Sequence, residues 1–76
     1  MKEAVEKIIT ALVSDKEAVE VSEVSSDKST VFQVRVAEGD MGRIIGREGR
    51  TVKAIRSLLF YAGQKQNKRF VLDLVD

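Results

Sequence analysis

The residues best placed to do chemistry are the glycines and bases of one stretch, residues 42–56. Its centre reads Gly46-Arg47-Glu48-Gly49, so two glycines bracket two charged residues. Glycine adopts the left-handed backbone angles of a tight corner and, lacking a Cβ, lets another backbone approach closely. A helical pattern follows, and the exposed N–H groups at the start of a helix favour an anion. The stretch therefore predicts a helix-loop-helix corner that binds a phosphate.

Basic residues surround this corner without local partners. Residues 41–57 hold five Lys or Arg against one acidic residue, whereas residues 1–40 hold five against nine. Arg50, Lys53 and Arg56 recur every third residue along the predicted helix, with no acid three or four positions away. Cations in the first turn oppose the helix macrodipole, so Arg50 lowers local stability until an anion binds. The alternative is a solvated helix face, which is what most runs of charge are.

The same residues resemble a known family of nucleic-acid-binding domains. Residues 44–49, followed by residues 50–55, are similar to the I-G-x-x-G loop of KH domains. That loop clamps the backbone of about four unpaired nucleotides, while their bases lie in an adjoining apolar groove. The resemblance implies single-stranded RNA as the partner. The implied contact residues are Arg43, Ile44, Ile45, Gly46, Arg47, Glu48, Gly49, Arg50, Lys53 and Arg56.

Two positions leave alternatives open. Ile44 and Ile45 are both apolar, so at least one is expected in the core while the other lies beside the loop and touches bases. Glu48 departs from the family pattern, because a neutral or basic residue suits a phosphate better, although a carboxylate is favourable near a helix N-terminus. Glu48 is therefore the main support for the alternative function, a KH-fold protein-interaction module with weak or lost RNA affinity.

The composition disfavours catalysis and membrane insertion. The 76 residues contain neither cysteine nor histidine, which removes disulfides, the thiol nucleophile and the usual general base. The glycines fit neither the dinucleotide-binding pattern nor the P-loop, which disfavours a nucleotide-binding enzyme. No apolar run is long enough for a signal peptide or a membrane span. We expect a cytoplasmic protein that is not an enzyme and holds no cofactor or metal.

The first half of the chain predicts a helix and two strands. Apolar residues at helical spacing predict an amphipathic helix over residues 2–13. Alternation with period two then predicts one strand from Val19 and another around residues 31–37, joined by a polar hairpin turn. Val24 breaks the alternation of the first strand and suggests a bulge. Asp40 follows the second strand as the expected N-cap of the next helix.

The second half predicts two helices and a last strand. A short helix covers residues 41–45, and a long one follows the loop with Val52, Ile55, Leu59 and Ala62 on its core face. We place Leu58 at the margin of that face and the end of the helix within residues 63–67. Alternation over residues 69–75 predicts the last strand.

This order, αββααβ, predicts an α+β fold in one domain spanning residues 1–76. Two strands joined through helices are most simply parallel, so residues 31–37 and 69–75 should be neighbours in a mixed three-stranded sheet with helices on one face. The order is similar to the type II KH arrangement, and most of all to the small free-standing KhpA family. That resemblance implies cytoplasmic RNA binding, a role as an RNA chaperone or post-transcriptional regulator, and association with itself or with a second KH protein.

Phe60 is the expected contact for such an association. It lies around the long helix from the core face, so it should be exposed in a monomer. At about 1.5 Å per residue it is roughly 16 Å from Gly49, beyond the reach of a four-nucleotide groove. We expect a homodimer, or a heterodimer with another KH-domain protein, that buries Phe60 together with Tyr61.

Overall fold

The computed structural model describes residues 1–75, and its six main elements follow the expected αββααβ order. The helices are α1 (Lys2–Leu12), α2 (Met41–Ile45) and α3 (Arg50–Lys65). The strands are β1 (Glu20–Ser25), β2 (Ser29–Arg35) and β3 (Arg69–Leu74). Single 3-10 turns at Lys16–Ala18, Glu38–Asp40 and Arg47–Gly49 were not predicted.

The three strands form one mixed sheet in the order β1-β2-β3. β1 pairs antiparallel with β2, and β3 pairs parallel with β2, so the expected parallel neighbours are confirmed. Thr30, Phe32 and Val34 of β2 are buried on the face that the helices cover, whereas Gln33 and Arg35 alternate with them and are exposed. The predicted mixed sheet with helices on one face is therefore correct.

The core lies between that face and the helices. Val5 and Ile9 of α1, one helical turn apart, are buried together with Ile44 of α2. Phe32 is fully buried, and the Phe70 ring meets it edge-on with the centroids 5.6 Å apart. α2 thus contributes one core residue and ends directly at the loop that follows.

Two sequence expectations about side chains are wrong. Val24 marks no bulge, because the register from Glu23 to Ser25 continues without an inserted residue; it is an exposed residue on an edge strand. Leu58 is 61% exposed and does not border the core.

The long helix ends within the residues expected, 63–67. It continues through Gly63 to Lys65, and the chain turns at Asn67, whose φ of +55° is left-handed. Gly63 is buried, and a Cβ there would collide with the carbonyl oxygen of Lys68. Glycine is needed at this point for the close approach of α3 to the start of β3, and it does not end the helix.

The side chain of Asp40 does not form the predicted N-cap hydrogen bond. It precedes α2, but its side chain makes no capping hydrogen bond there. Its buried carboxylate instead accepts hydrogen bonds from the backbone N–H groups of Asp15, at 2.9 Å, and Ser14, at 3.1 Å. These bonds lower the pKa of Asp40 below its ordinary value, and the nearby Arg43 guanidinium adds to the effect. Asp40 therefore ties the segment after α1 to the start of α2.

We predict that Asp40→Asn lowers the melting temperature at neutral pH, because the amide presents an N–H to a backbone donor. A depressed folded pKa contributes stability above the unfolded value of 3.8, and that contribution is lost as the pH falls through the folded pKa. Thermal unfolding of wild type and variant should therefore show a gap that shrinks in acid. Asp27→Asn, in the exposed hairpin turn, is the control, and a gap for Asp40→Asn that ignores pH would contradict the assignment.

Candidate nucleic-acid interface

The corner between α2 and α3 depends on Gly46. Its φ of +76° and ψ of 174° lie in a region of backbone angles that is essentially restricted to glycine. A Cβ at this position would also collide with the side chain of Thr51 and lie 2.8 Å from the backbone nitrogen of that residue. The predicted corner is therefore present, and both its angle and its packing require glycine.

The rest of the loop faces open space. Gly49 is left-handed, with φ of +75°, and apart from the adjacent residues no atom lies within 4 Å of the place where its Cβ would be. Its N–H donates to the carbonyl oxygen of Gly46 at 3.2 Å, so this amide is engaged within the loop. The N–H groups of Arg47 and Glu48 precede that bond in the turn and donate to no backbone acceptor among the turn and cap bonds of residues 1–75. They are therefore the two loop amides open to an external acceptor.

Glu48 has an unusual backbone and a specific partner. Its φ of +56° is left-handed, which is uncommon for a residue with a side chain. Its carboxylate lies 3.5 Å from the guanidinium of Arg50, and both side chains are largely exposed. Exposed pairs of this kind are weak, so Glu48 does little to hold Arg50 in place.

The four cations other than Arg50 that were predicted to hold RNA divide into two groups. Arg43 lies 3.4 Å from the carboxylate of Asp40, and Arg56 donates to the carbonyl oxygen of Leu72 at 3.4 Å, so each also holds neighbouring structure. Arg47 and Lys53 are exposed and form no ion pair within residues 1–75. The second group can therefore meet a ligand without breaking an ion pair inside the protein.

The two isoleucines of α2 have different environments. Ile44 is fully buried in the core, whereas Ile45 is 39% exposed beside the loop. Ile44 is therefore the core residue of the two, and not the RNA contact that the resemblance implied. A contact between Ile45 and a base stays a prediction.

A groove that the sequence did not reveal runs between α3 and the free edge of β3. It encloses about 650 Å³. On α3, helical spacing puts Lys53, Arg56, Phe60 and Gln64 on one side, within a sector of about 80°. These residues follow one another from the loop toward the end of the helix, so the helical wall of the groove extends away from the loop. The groove-lining residues are Lys28, Arg56, Phe60, Gln64, Asn67, Lys68, Arg69, Phe70, Val71 and Leu72.

The aromatic pair predicted at a partner interface is exposed as expected. Phe60 and Tyr61 are 55% and 64% exposed, and their rings meet edge-on with the centroids 5.5 Å apart. Phe60 also forms part of the groove wall, whereas Tyr61 and Leu58 lie outside the groove. The helix thus presents apolar side chains on two sides.

Comparison with known proteins identifies the family. The model of the KH domain of KhpA and KhpB matches residues 2–74. The chain belongs to this family. The resemblance first seen in the 46–49 loop is confirmed, and so is the KH arrangement of the elements.

Curated relatives match over almost the full length of the chain. The protein of Halalkalibacterium halodurans is 43% identical over 76 residues, and the alignment covers all of both chains. That of Clostridium acetobutylicum is 41% identical over 75 residues, covering 99% of this chain and all of the relative. That of Borreliella burgdorferi is 39% identical over 74 residues, covering 97% and 90%. Each is named RNA-binding protein KhpA, a name that describes binding and no reaction.

No solved structure matches the chain. Within residues 1–75, no helix is long and apolar enough to cross a membrane, and no group of three or more acidic residues is arranged to hold a metal ion.

We predict that the two loop glycines differ in their tolerance of alanine. Gly49→Ala places a side chain in open space and costs about 1–2 kcal/mol for its left-handed angles. Gly46→Ala adds the collision with Thr51, so we expect a loss of roughly 3 kcal/mol or more. Urea unfolding of both variants measures the difference. Equal losses would show that the contact with Thr51 does not constrain the corner.

Proposed function

We propose that this chain is a non-catalytic RNA-binding protein whose single KH domain clamps single-stranded RNA at the 46–49 loop. The observation that carries the proposal is the open loop itself: two of its amides, those of Arg47 and Glu48, have no backbone acceptor, the Arg47 side chain is exposed, and the Cβ position of Gly49 faces open space. The name of the curated relatives, RNA-binding protein KhpA, supports the same partner.

The loop recognises phosphate by charge and by N–H donors. A phosphate above Gly49 accepts from the amides of Arg47 and Glu48 and lies near the start of α3, whose partial positive charge favours an anion. Arg50 exchanges its weak pair with Glu48 for this phosphate. Glu48 therefore reduces the affinity of the loop but does not block it.

The remaining cations position the strand without reading its sequence. Arg43, Lys53 and Arg56 lie on helix surfaces, where cations meet phosphate oxygens more readily than base edges. Ile45 offers an exposed apolar contact to a base beside the loop. A clamp dominated by backbone contacts suits an RNA chaperone or post-transcriptional regulator acting on many RNAs in the cytoplasm.

The decisive test is Arg47→Asp. This change puts a second carboxylate beside Glu48 where the phosphate binds, so we expect RNA affinity to fall at least tenfold, the effect of about 1.4 kcal/mol. Arg47 is exposed, so the fold should be intact by circular dichroism. Fluorescence anisotropy with a labelled single-stranded RNA measures the affinity.

A matched control separates the loop from general charge. Lys7→Asp makes a similar change in net charge on the exposed side of α1 and should bind RNA almost as well as wild type. Unchanged affinity in a folded Arg47→Asp protein would contradict binding at the loop. A wild type without salt-sensitive RNA binding would favour the alternative, a KH-fold protein-interaction module.

A second role is favoured by the exposed side chains of α3. Leu58, Phe60 and Tyr61 are each more than half exposed, and burying one such side chain contributes roughly 2–3 kcal/mol. A domain of this size has a small core and benefits from association. We therefore propose that a second copy, or another KH-domain protein, docks on α3 through Phe60 and Tyr61.

We predict that Phe60→Glu converts a wild-type dimer into a monomer, because the interface would bury an unpaired charge. Sedimentation gives the mass in solution. Val24→Glu is the matched control, since Val24 is 58% exposed on β1, at the edge of the sheet away from β3. A Phe60→Glu protein that stays dimeric would place the interface elsewhere.

A further inference from the structure

The strand β1 has one backbone edge without a partner strand. It is the outer strand of the sheet formed by residues 1–75, with β2 on one side only. Ser26 donates its N–H to the carbonyl oxygen of Ser29 at 2.7 Å, which makes these two residues a hydrogen-bonded pair of the ladder. Such pairs alternate along an antiparallel ladder, so Ser22 and Val24 also bond to β2. The outward peptide groups, which we call the β1 edge, are those of Val21, Glu23 and Ser25.

The β1 edge lacks most of the features that prevent an edge strand from pairing. The strand has six residues, contains no proline and keeps an unbroken register with β2. It is exposed along almost its whole length. Val24, which is 58% exposed, lies on the face of the sheet that the helices leave open. An extended segment can therefore pair with β1 as a fourth strand, the mode of recognition called β-strand addition.

The charges of β1 determine which segment can pair with it. Glu20 and Glu23 are its only charged residues, both are exposed, and within residues 1–75 neither forms an ion pair. Every alignment with β1 of a second copy brings two acidic strands together, and the alignment centred on Glu23 places two carboxylates directly opposite each other. A nucleic acid is repelled for the same reason. A segment with basic side chains is attracted instead.

We propose that the β1 edge binds an extended basic segment of another protein. Glu20 and Glu23 are three residues apart, so their side chains lie on opposite faces of the sheet. An antiparallel segment that pairs with both needs two cations at the same spacing, and an apolar residue just before the first cation to cover Val24. The recognised pattern is apolar-Lys-x-x-Lys. Because β1 and β3 are opposite edges of the sheet, this segment leaves the groove and Phe60 uncovered, and the proposal does not rest on RNA binding.

The probe is a fluorescent peptide of about eight residues, with Val-Lys-Thr-Thr-Lys flanked by threonines. Its charge-reversed version has Glu in place of both lysines and should bind roughly tenfold more weakly in fluorescence anisotropy. The double variant Glu20→Gln with Glu23→Gln should bind the basic peptide about fivefold more weakly than wild type, because two exposed ion pairs are lost. Glu3→Gln with Glu38→Gln makes the same change in net charge at exposed positions outside β1, so it should bind as wild type does.

Hydrogen exchange locates the peptide on the wild-type protein without any substitution. In the free chain, the N–H groups of the β1 edge should exchange quickly, whereas those of Ser22 and Val24 are bonded to β2 and should exchange slowly. Saturating basic peptide should slow exchange at the β1 edge by at least about tenfold, because these amides then donate to the added strand. The alternation of fast and slow amides should therefore disappear when the peptide binds.

Several outcomes would overturn the proposal. Wild type could bind the two peptides equally, or the bound basic peptide could leave exchange at the β1 edge unchanged. Equal losses in the two double variants would indicate general charge attraction. A self-association that Glu20→Gln with Glu23→Gln changes, measured by sedimentation without peptide, would assign the edge to a second copy. Arg47→Asp should bind the peptide as wild type does, so failure of RNA binding and failure of the β1 edge are distinguishable.

Discussion

At Gly46 the backbone passes so close to Thr51 that no side chain fits between them. This contact fixes how the short helix α2 joins the long helix α3. Because α2 is also held by the buried Ile44, the corner cannot shift without disturbing the core. The loop between the two helices is consequently held at the surface in one conformation, with the amides of Arg47 and Glu48 free of backbone acceptors.

The opposite end of α3 obeys a similar constraint. Gly63 lets the helix approach the carbonyl oxygen of Lys68, so the last turn of α3 lies directly against the start of β3. Between these two glycine contacts the helix runs beside the free edge of the sheet, and the groove is the space left between them. Arg56 crosses that space to bond the edge of β3 at Leu72. The site and the core are thus built from the same helix.

Basic and acidic residues are concentrated in different parts of the chain, and packing of the fold does not require this separation. α3 contains four cations and no acidic residue, while most of the acidic residues belong to the first half of the chain. Among these acidic residues Asp40 has a structural role, since its carboxylate is buried and accepts hydrogen bonds from two backbone amides. The cations around the loop and the groove therefore raise the local potential, which attracts and orients a polyanion.

Short-range rules were sufficient to predict the six elements, the corner at residues 46–49 and the exposure of Phe60. Helical and strand periodicity, glycine backbone angles and local charge density all act within a few residues, so the printed sequence contains them. The remaining features depend on packing between residues that are far apart in the sequence. It placed Asp40 against the amides after α1, left Leu58 uncovered and brought Lys28 beside Lys68. Those outcomes depend on where β3 enters the sheet and which helix surface stays without a neighbour, and no local pattern encodes either.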